Sequence, residues 1–179
     1  MHERTGQGVT EDVRERMIAF LPRLRRFSLV LTQDAAQADD LAQDTCVRAL
    51  QSLHLWEPGT RLESWMYRIA NNLWIDRVRS QRYRGVHASI DDIESGEEPA
   101  GVDGRDVAES RLELAHVMKA IGRLPEEQRA VLALVCINGA SYKEAAETFA
   151  IPMGTVMSRL ARARKALYAA LAETAEQLA

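Results

Sequence analysis

Apolar residues recur along most of this chain at intervals of three or four positions, which is the spacing of one face of an α-helix. Sustained alternation of apolar and polar residues, which marks a half-buried strand, is absent from the sequence. The pattern predicts helical segments at about 10–20, 22–32, 35–53, 61–83, 107–122, 125–137, 142–149 and 153–176. The predicted fold class is therefore all-α.

One segment, 85–107, interrupts the helical pattern. It contains four glycines and Pro99, and it carries seven acidic residues against one basic residue. Such a composition is typical of a flexible linker. The sequence therefore predicts two small helical domains, 1–84 and 108–179, joined by a flexible acidic linker.

Composition excludes several classes of protein. The 179 residues carry a net charge of -3 and are 46% hydrophobic, which excludes a histone-like DNA coat and a disordered chain. The longest apolar run, Ala130 to Ile137, is far shorter than the roughly 20 residues of a membrane helix. The first residues lack the apolar core of a secretory signal, so the expected location is the cytoplasm. Cys46 and Cys136 lie in apolar helical patterns and are predicted to be small buried thiols.

The second predicted domain contains a short helix, a break and a longer helix, which is the order of a helix-turn-helix. The short helix begins with a capping-box pattern, Ser141 followed by Glu144, and the break spans 150–154. A similar pattern, Thr60 followed by Glu63, precedes the helix predicted at 61–83. The sequence therefore predicts a DNA-binding module between about 141 and 176.

The longer helix has an apolar stripe and a polar face. Val156, Leu160, Ala163 and Leu167 fall within about 60° of one another at the helical step, which predicts a buried stripe. The polar face carries hydroxyl and cationic groups suited to phosphates and guanine edges: Thr155, Ser158, Arg159, Arg162 and Lys165. Segment 155–168 has four basic residues and no acidic one, which favours DNA contact over a merely solvated face. The alternative for Thr155 is a simple helix cap.

The predicted helix 61–83 has a second polar surface. Segment 61–84 holds six arginines against two acidic residues. Cationic and amide groups that suit single-stranded nucleic acid lie on one arc: Arg61, Ser64, Arg68, Asn71, Asn72 and Arg79. Tyr67 and Trp74 flank this arc, where they either stack on bases or pack on a neighbouring helix, whereas Trp65 is predicted in the core.

The predicted helix 35–53 begins with acidic and amide residues: Gln37, Asp39, Asp40, Gln43 and Asp44. Two readings stay open. The acids either stabilise the positive end of the helix dipole or form a docking surface for a basic partner.

Enzymatic and metal chemistry have no support in the sequence. The four histidines are scattered, and neither a G-x-S-x-G nucleophile pattern nor a phosphate-binding G-x-x-x-x-G-K-S/T loop occurs. No spaced set of His, Cys, Asp or Glu indicates a metal site. A non-enzymatic protein without a metal or cofactor is therefore expected.

Four segments in order, Asp40–Thr45, Ser64–Asn72, Leu124–Arg129 and Gly154–Arg164, resemble the extracytoplasmic-function (ECF) group of bacterial sigma factors. The resemblance covers about 11–171. It implies a two-domain transcription initiation factor that binds core RNA polymerase and directs it to a promoter. It also implies a partner, an anti-sigma factor, that holds the protein inactive.

The resemblance assigns roles to particular positions. The polymerase-docking helix matches Asp39–Leu50, which implies Asp40, Gln43 and Asp44 as docking residues. The residues implied in reading the -10 element are the loop His54–Arg61 and the helical positions Asn71, Asn72, Asp76 and Arg79. Ser64 and Arg68 join this predicted set because they lie on the same polar arc of the predicted helix 61–83. The residues implied in reading the -35 element are Thr155, Ser158, Arg159 and Arg162. Lys165 joins this predicted set because it lies near them on the polar face. The linker is implied to thread toward the RNA exit path. Met157 departs from the family pattern, because many relatives carry Lys or Arg there.

Two other functions would use some of the same features. A stand-alone helix-turn-helix regulator would bind duplex DNA without polymerase, and the basic arc in 61–84 speaks against it. A sigma-mimicking adaptor would titrate an anti-sigma factor without supporting transcription. The sequence favours a promoter-specificity factor over both.

Overall fold

The computed structural model describes residues 3–83 and 106–178. The helices in these ranges are α1 (Glu3–Thr32), α2 (Ala35–Gln51), α3 (Leu62–Tyr83), α4 (Asp106–Gly122), α5 (Glu126–Leu132), α6 (Tyr142–Phe149) and α7 (Met153–Leu178). A short 3-10 helix, Leu53–Leu55, follows α2, and a π-helical segment, Ala133–Ile137, continues α5. The described residues contain no strand, so the predicted all-α class is confirmed.

The two helices predicted at 10–20 and 22–32 form one helix, α1, so the predicted break at Leu21 is wrong. Pro22 lies inside α1 and has no N–H to donate to the carbonyl group of Ile18. Both residues face solvent, with Ile18 67% exposed, so water can bind the freed carbonyl group. The helix therefore continues through the proline.

The segment predicted as one helix at 125–137 changes its winding after Leu132. The N–H of Asn138 donates to the carbonyl oxygen of Ala133 at 3.1 Å, which is the five-residue hydrogen bond of a π-helix. This wider turn departs from the 3.6-residue period used for the prediction. Cys136 is exposed and Cys46 half-buried, so the prediction of a buried thiol is wrong for Cys136.

The apolar core is continuous across the N-terminal and C-terminal helices. Its largest fully buried side chains include Leu24 and Phe27 of α1, Met66 of α3 and Leu160 of α7. Helix α1 packs against α2 and α3 and also against α5, and α3 packs against α6. The predicted linker lies outside the described residues, except for its last two residues, which begin α4.

Candidate nucleic-acid and polymerase interfaces

The helix-turn-helix is built from local hydrogen bonds around α6. The Ser141 Oγ accepts a bond from the Glu144 N–H at 3.2 Å, and the Glu144 carboxylate accepts one from the Ser141 N–H at 2.7 Å. This capping box was predicted and is confirmed. The second one does not form, because the Thr60 hydroxyl donates to the Glu57 carbonyl oxygen at 2.7 Å.

The turn between α6 and α7 depends on one left-handed residue. Ala150 has a φ of 52°, and its N–H donates to carbonyl groups of the last turn of α6. The carbonyl oxygen of Pro152 then accepts bonds from the N–H groups of Thr155 and Val156 at 2.9 and 3.2 Å. These bonds end α6, begin α7 and fix the direction of α7.

Helix α7 divides into the two faces that the sequence predicts. Val156, Leu160 and Ala163 are fully buried, and Leu167 is half-buried against the same core. The polar face consists of Ser158, Arg162 and Lys165, which are exposed, and Thr155 and Arg159, which are partly buried. Helix α7 therefore presents a cationic, hydroxyl-bearing surface to solvent.

Two arginines of this face are held by hydrogen bonds. Arg159 forms an ion pair with Glu127 of α5. Arg162 donates from Nε to the Ser158 carbonyl oxygen at 3.2 Å. The role of Glu127 as a partner of Arg159 was not predicted, because the two residues lie 32 positions apart and only the folded chain brings them together.

The proposed single-strand face of α3 is partly covered. Asn72, Asp76 and Arg79 are exposed, and Ser64 and Asn71 are half-buried. Arg61 and Arg68, also exposed, bind groups of α6. Arg61 and Ser64 line a cleft between α3 and the C-terminal helices.

The aromatic residues beside this face lie in the core. Tyr67 is 4% exposed and contacts Phe20 and Phe27, with ring centroids 4.9 and 4.8 Å apart. Trp74 is 7% exposed, and the Arg129 guanidinium lies over its ring at 5.9 Å. The packing alternative is therefore correct for both rings, and Trp65 is only half-buried.

Burial also changes the acid–base behaviour of Tyr67. Loss of solvent around the phenol raises the pKa of Tyr67 to about 12, although Arg23 nearby favours the charged form. The Tyr67 hydroxyl has no hydrogen-bond partner among the described residues. It therefore stays neutral and acts as part of the core.

The acidic surface of α2 is exposed. Asp34 caps this helix by accepting a bond from the Gln37 N–H at 2.7 Å, and the first turn holds no acid. Stabilisation of the helix dipole therefore does not explain Asp40 and Asp44, because the dipole effect fades beyond the first turn. Asp44 accepts a bond from the Arg77 Nη2 at 2.5 Å, whereas Asp40 and Gln43 are exposed.

Asp39, like Asp44, is paired with an arginine of a neighbouring helix. Its carboxylate accepts bonds from Arg25 at 2.5 and 3.2 Å, and this pairing lowers the pKa of Asp39. The face therefore combines carboxylates held by arginines with the exposed apolar side chains of Val47 and Leu50. Such a mixed surface suits protein docking.

Within the described ranges, no cluster of His, Cys, Asp and Glu has the arrangement of a metal site. The described part of the chain also has no helix that is long and apolar enough to cross a membrane.

Comparison with known proteins matches both halves of the chain to one family. Sigma-70 region 2 matches residues 17–84, and Sigma-70, region 4 matches residues 114–167. The ECF RNA polymerase sigma factor EcfG of Rhodopseudomonas palustris is 33% identical over 91% of this chain and 87% of its own length. The ECF RNA polymerase sigma factor SigL of Mycobacterium tuberculosis is 35% identical over 84% of this chain and 83% of its own.

Two solved structures have the same fold. The sigma factor RpoE from Bartonella quintana, in complex with the anti-sigma factor NepR, is 30% identical with a TM-score of 0.73 and covers 90% of this chain and 97% of its own. CnrH, in complex with the cytosolic domain of CnrY, is 25% identical with a TM-score of 0.67 over 92% of this chain and 90% of its own. From its sequence matches and its fold, this chain belongs to the ECF group of RNA polymerase sigma factors.

Proposed function

We propose that this chain is an alternative sigma factor that binds core RNA polymerase and directs it to specific promoters. The observation that carries the proposal is the recognition helix α7, which buries one stripe and exposes a face of hydroxyl and cationic groups. Such a face suits phosphates and guanine edges in the major groove. The DNA contacted there is the -35 element, through Thr155, Ser158, Arg159, Arg162 and Lys165.

The -10 element is read by α3 and the loop before it. Asn72, Asp76 and Arg79 are exposed and able to contact unpaired bases and phosphates. Because Tyr67 and Trp74 are buried, this recognition relies on polar and cationic groups rather than on these two rings.

Core polymerase docks on α2. Asp40, Gln43 and Asp44 supply exposed polar groups, and Val47 and Leu50 supply apolar area. We expect the charge-reversed variant Asp44→Arg to bind core polymerase more weakly in a binding titration. The double variant Asp44→Arg with Arg77→Asp is expected to restore the ion pair but not polymerase binding, so it separates docking from folding.

An anti-sigma factor regulates the protein. One similar solved structure, that of the sigma factor RpoE, is a complex with the anti-sigma factor NepR. The proposed location of the protein is the cytoplasm, which contains both core polymerase and the chromosome.

The test is transcription with purified components. Core polymerase, this chain and sheared genomic DNA are incubated with nucleotides, and the 5′ ends of the transcripts are sequenced. We expect start sites that depend on the chain and share two upstream elements. If the chain supports no start site, the proposal fails, and a footprint on duplex DNA without polymerase would instead identify a stand-alone regulator.

A further inference from the structure

Two methionines in the first turns of α7 are exposed although their side chains are apolar. Met153 is 54% exposed and Met157 is 51% exposed. Neither belongs to the buried stripe of Val156, Leu160 and Ala163, and neither is part of the apolar core. About half of each residue is therefore available to a molecule that binds α7.

Met157 lies next to the polar face of α7. At the helical step of about 100° per residue, it is about 80° from Lys165 and about 100° from Ser158. Gly154 and Ala161, which are small and exposed, occupy the arc between them. A side chain at Gly154 would meet no other atom within 4 Å, so the surface there is open. The longer Met157 side chain therefore projects beyond its neighbours on this side of the helix.

The charge beside Met157 suits DNA as the molecule that covers it. Segment 155–168 has four basic residues and no acidic one. Arg162 and Lys165 are exposed and form no ion pair among the described residues. Phosphates bound by these two cations would bring the base edges of a major groove onto the first turns of α7. A base edge is therefore the expected neighbour of Met157.

The group of a base pair that suits Met157 is the 5-methyl group of thymine. It is the apolar group of the major-groove edge, whereas the other groups there are hydrogen-bond donors and acceptors. A methionine side chain carries no charge and no donor, and its unbranched chain adapts to the shape of its neighbour. Contact removes the apolar surface of both groups from water, which for one methyl group corresponds to roughly fourfold in affinity.

We propose that Met157 is a specificity-determining residue of the -35 face and selects thymine at one position through contact with its 5-methyl group. Gly154 and Ala161 leave the room in which the base approaches. A cytosine at the same position lacks the methyl group and binds more weakly. This assignment rests on the proposed function of α7, to which it adds the base that one side chain prefers.

The test removes the methyl group alone. The probe is a fluorescent duplex that carries the strongest promoter from the transcription experiment, with each thymine of its -35 element replaced in turn by deoxyuridine. Holoenzyme assembled from core polymerase and the full chain is titrated against each duplex. We expect one replacement to weaken binding roughly fourfold, and 5-bromodeoxyuridine at that position to restore it, because bromine fills the place of the methyl group. If no replacement weakens binding, the proposal is overturned.

Variants assign the effect to one side chain. In Met157→Ala holoenzyme, the same deoxyuridine replacement is expected to have no measurable effect, because the contact is already lost. Met157→Leu keeps an apolar side chain and is expected to keep the preference for thymine. Met153→Ala is the matched control, because it removes an equally exposed methionine that lies about 180° from Arg162. An undiminished effect in Met157→Ala, or an equal loss of preference in Met153→Ala, would contradict the assignment.

Failure of this assignment differs from failure of the proposed function. If the holoenzyme uses no promoter, the proposed function fails and the role of Met157 fails with it. If the holoenzyme requires a -35 element but binds thymine and deoxyuridine equally, α7 keeps its proposed function and only the role of Met157 is lost. If Met157→Ala weakens binding to core polymerase and leaves the preference for thymine intact, Met157 contacts protein and the proposal is overturned.

Discussion

Two arginines of α7, Arg162 and Arg164, have different surroundings and therefore different expected roles. Arg162 and Arg164 are both exposed cations on this helix, but their surroundings differ. Arg162 lies on the polar face beside Ser158, whereas Arg164 reaches back toward the Cys136 sulfur at 3.8 Å. Of these two residues, Arg162 is the proposed DNA contact, and the pair is matched for mutation.

We expect Arg162→Ala to weaken binding to the -35 element by about 1 to 3 kcal/mol, the value of one good contact to a base, and to reduce -35-dependent transcription accordingly. Binding to core polymerase is expected to stay unchanged, because the proposed docking surface lies on α2. Abortive transcription and a polymerase binding titration measure the two effects. Arg164→Ala is the control, and a similar loss in both variants would remove Arg162 from the recognition face.

Tyr67 makes the stability of the fold depend on pH in the alkaline range. Its folded pKa is about 12 against an ordinary value of 10.0, so the folded chain holds this proton more tightly than the unfolded chain. Between these two values the unfolded state binds fewer protons, and stability falls as the pH rises. The stabilisation is fully present below pH 10.0 and is lost through about pH 12.

We therefore expect the free energy of unfolding to drop by roughly 2 to 3 kcal/mol across this window, as two pKa units require. Urea titrations of the wild type and Tyr67→Phe at several pH values measure it. The variant lacks this part of the slope and has nearly unchanged stability at neutral pH, because the hydroxyl has no partner to lose. An identical slope in both proteins would refute the assignment to Tyr67.

Among the elements, the turn of the helix-turn-helix stores backbone strain at one residue. Ala150 adopts a left-handed φ of 52°, a conformation that costs an L-residue with a Cβ about 1 kcal/mol or more. Glycine is the usual residue after a helix end for this reason. The element is formed despite the local preference of Ala150, because α6 and α7 bury their apolar stripes on both sides of it.

Ala150→Gly is expected to raise the free energy of unfolding by about 0.5 to 1 kcal/mol. Ala161→Gly is the matched control, because Ala161 is exposed in the interior of α7, where glycine costs about 1 kcal/mol. Chemical denaturation measures both variants. Shifts of the same sign would show that Ala150 is not strained.

Which elements form was largely predictable, and their joints were not. The apolar spacing predicted α2, α3, α6 and α7 closely, because each buries one stripe against a neighbour. The prediction failed at Pro22, because a solvent-exposed position allows a proline inside a helix. It also failed after Leu132, because a π-helical turn changes the period of the helix. Both failures depend on surroundings that a local pattern does not contain.

At the scale of the whole molecule, the net charge of -3 conceals a strong segregation. Segment 85–107 carries -6, whereas 1–84 carries +2 and 108–179 carries +1. The acidic segment is therefore expected to weaken the affinity of the free chain for DNA, since like charges on protein and DNA repel.

Replacement of Asp91, Asp92, Glu94, Glu97 and Glu98 by the matching amides removes five negative charges. We expect the free chain to bind duplex DNA of arbitrary sequence severalfold more tightly at low salt, and the gain to shrink as salt rises. Fluorescence anisotropy over a salt series measures it. A variant that exchanges Asp and Glu at the same five positions keeps the charge and is expected to match the wild type. A gain that is independent of salt would refute the electrostatic explanation.

The sequence by itself determined the helical class, the stripe and polar face of α7, and the acidic and amide residues of α2, because these follow from residue spacing along one element. Only the tertiary structure decided that Tyr67 and Trp74 are buried, that Glu127 pairs with Arg159, and that groups of α6 bind Arg61 and Arg68. Each of these depends on which helices pack together. Spacing within a helix defines its faces, whereas the neighbour that covers each face is chosen by the packing of the whole chain.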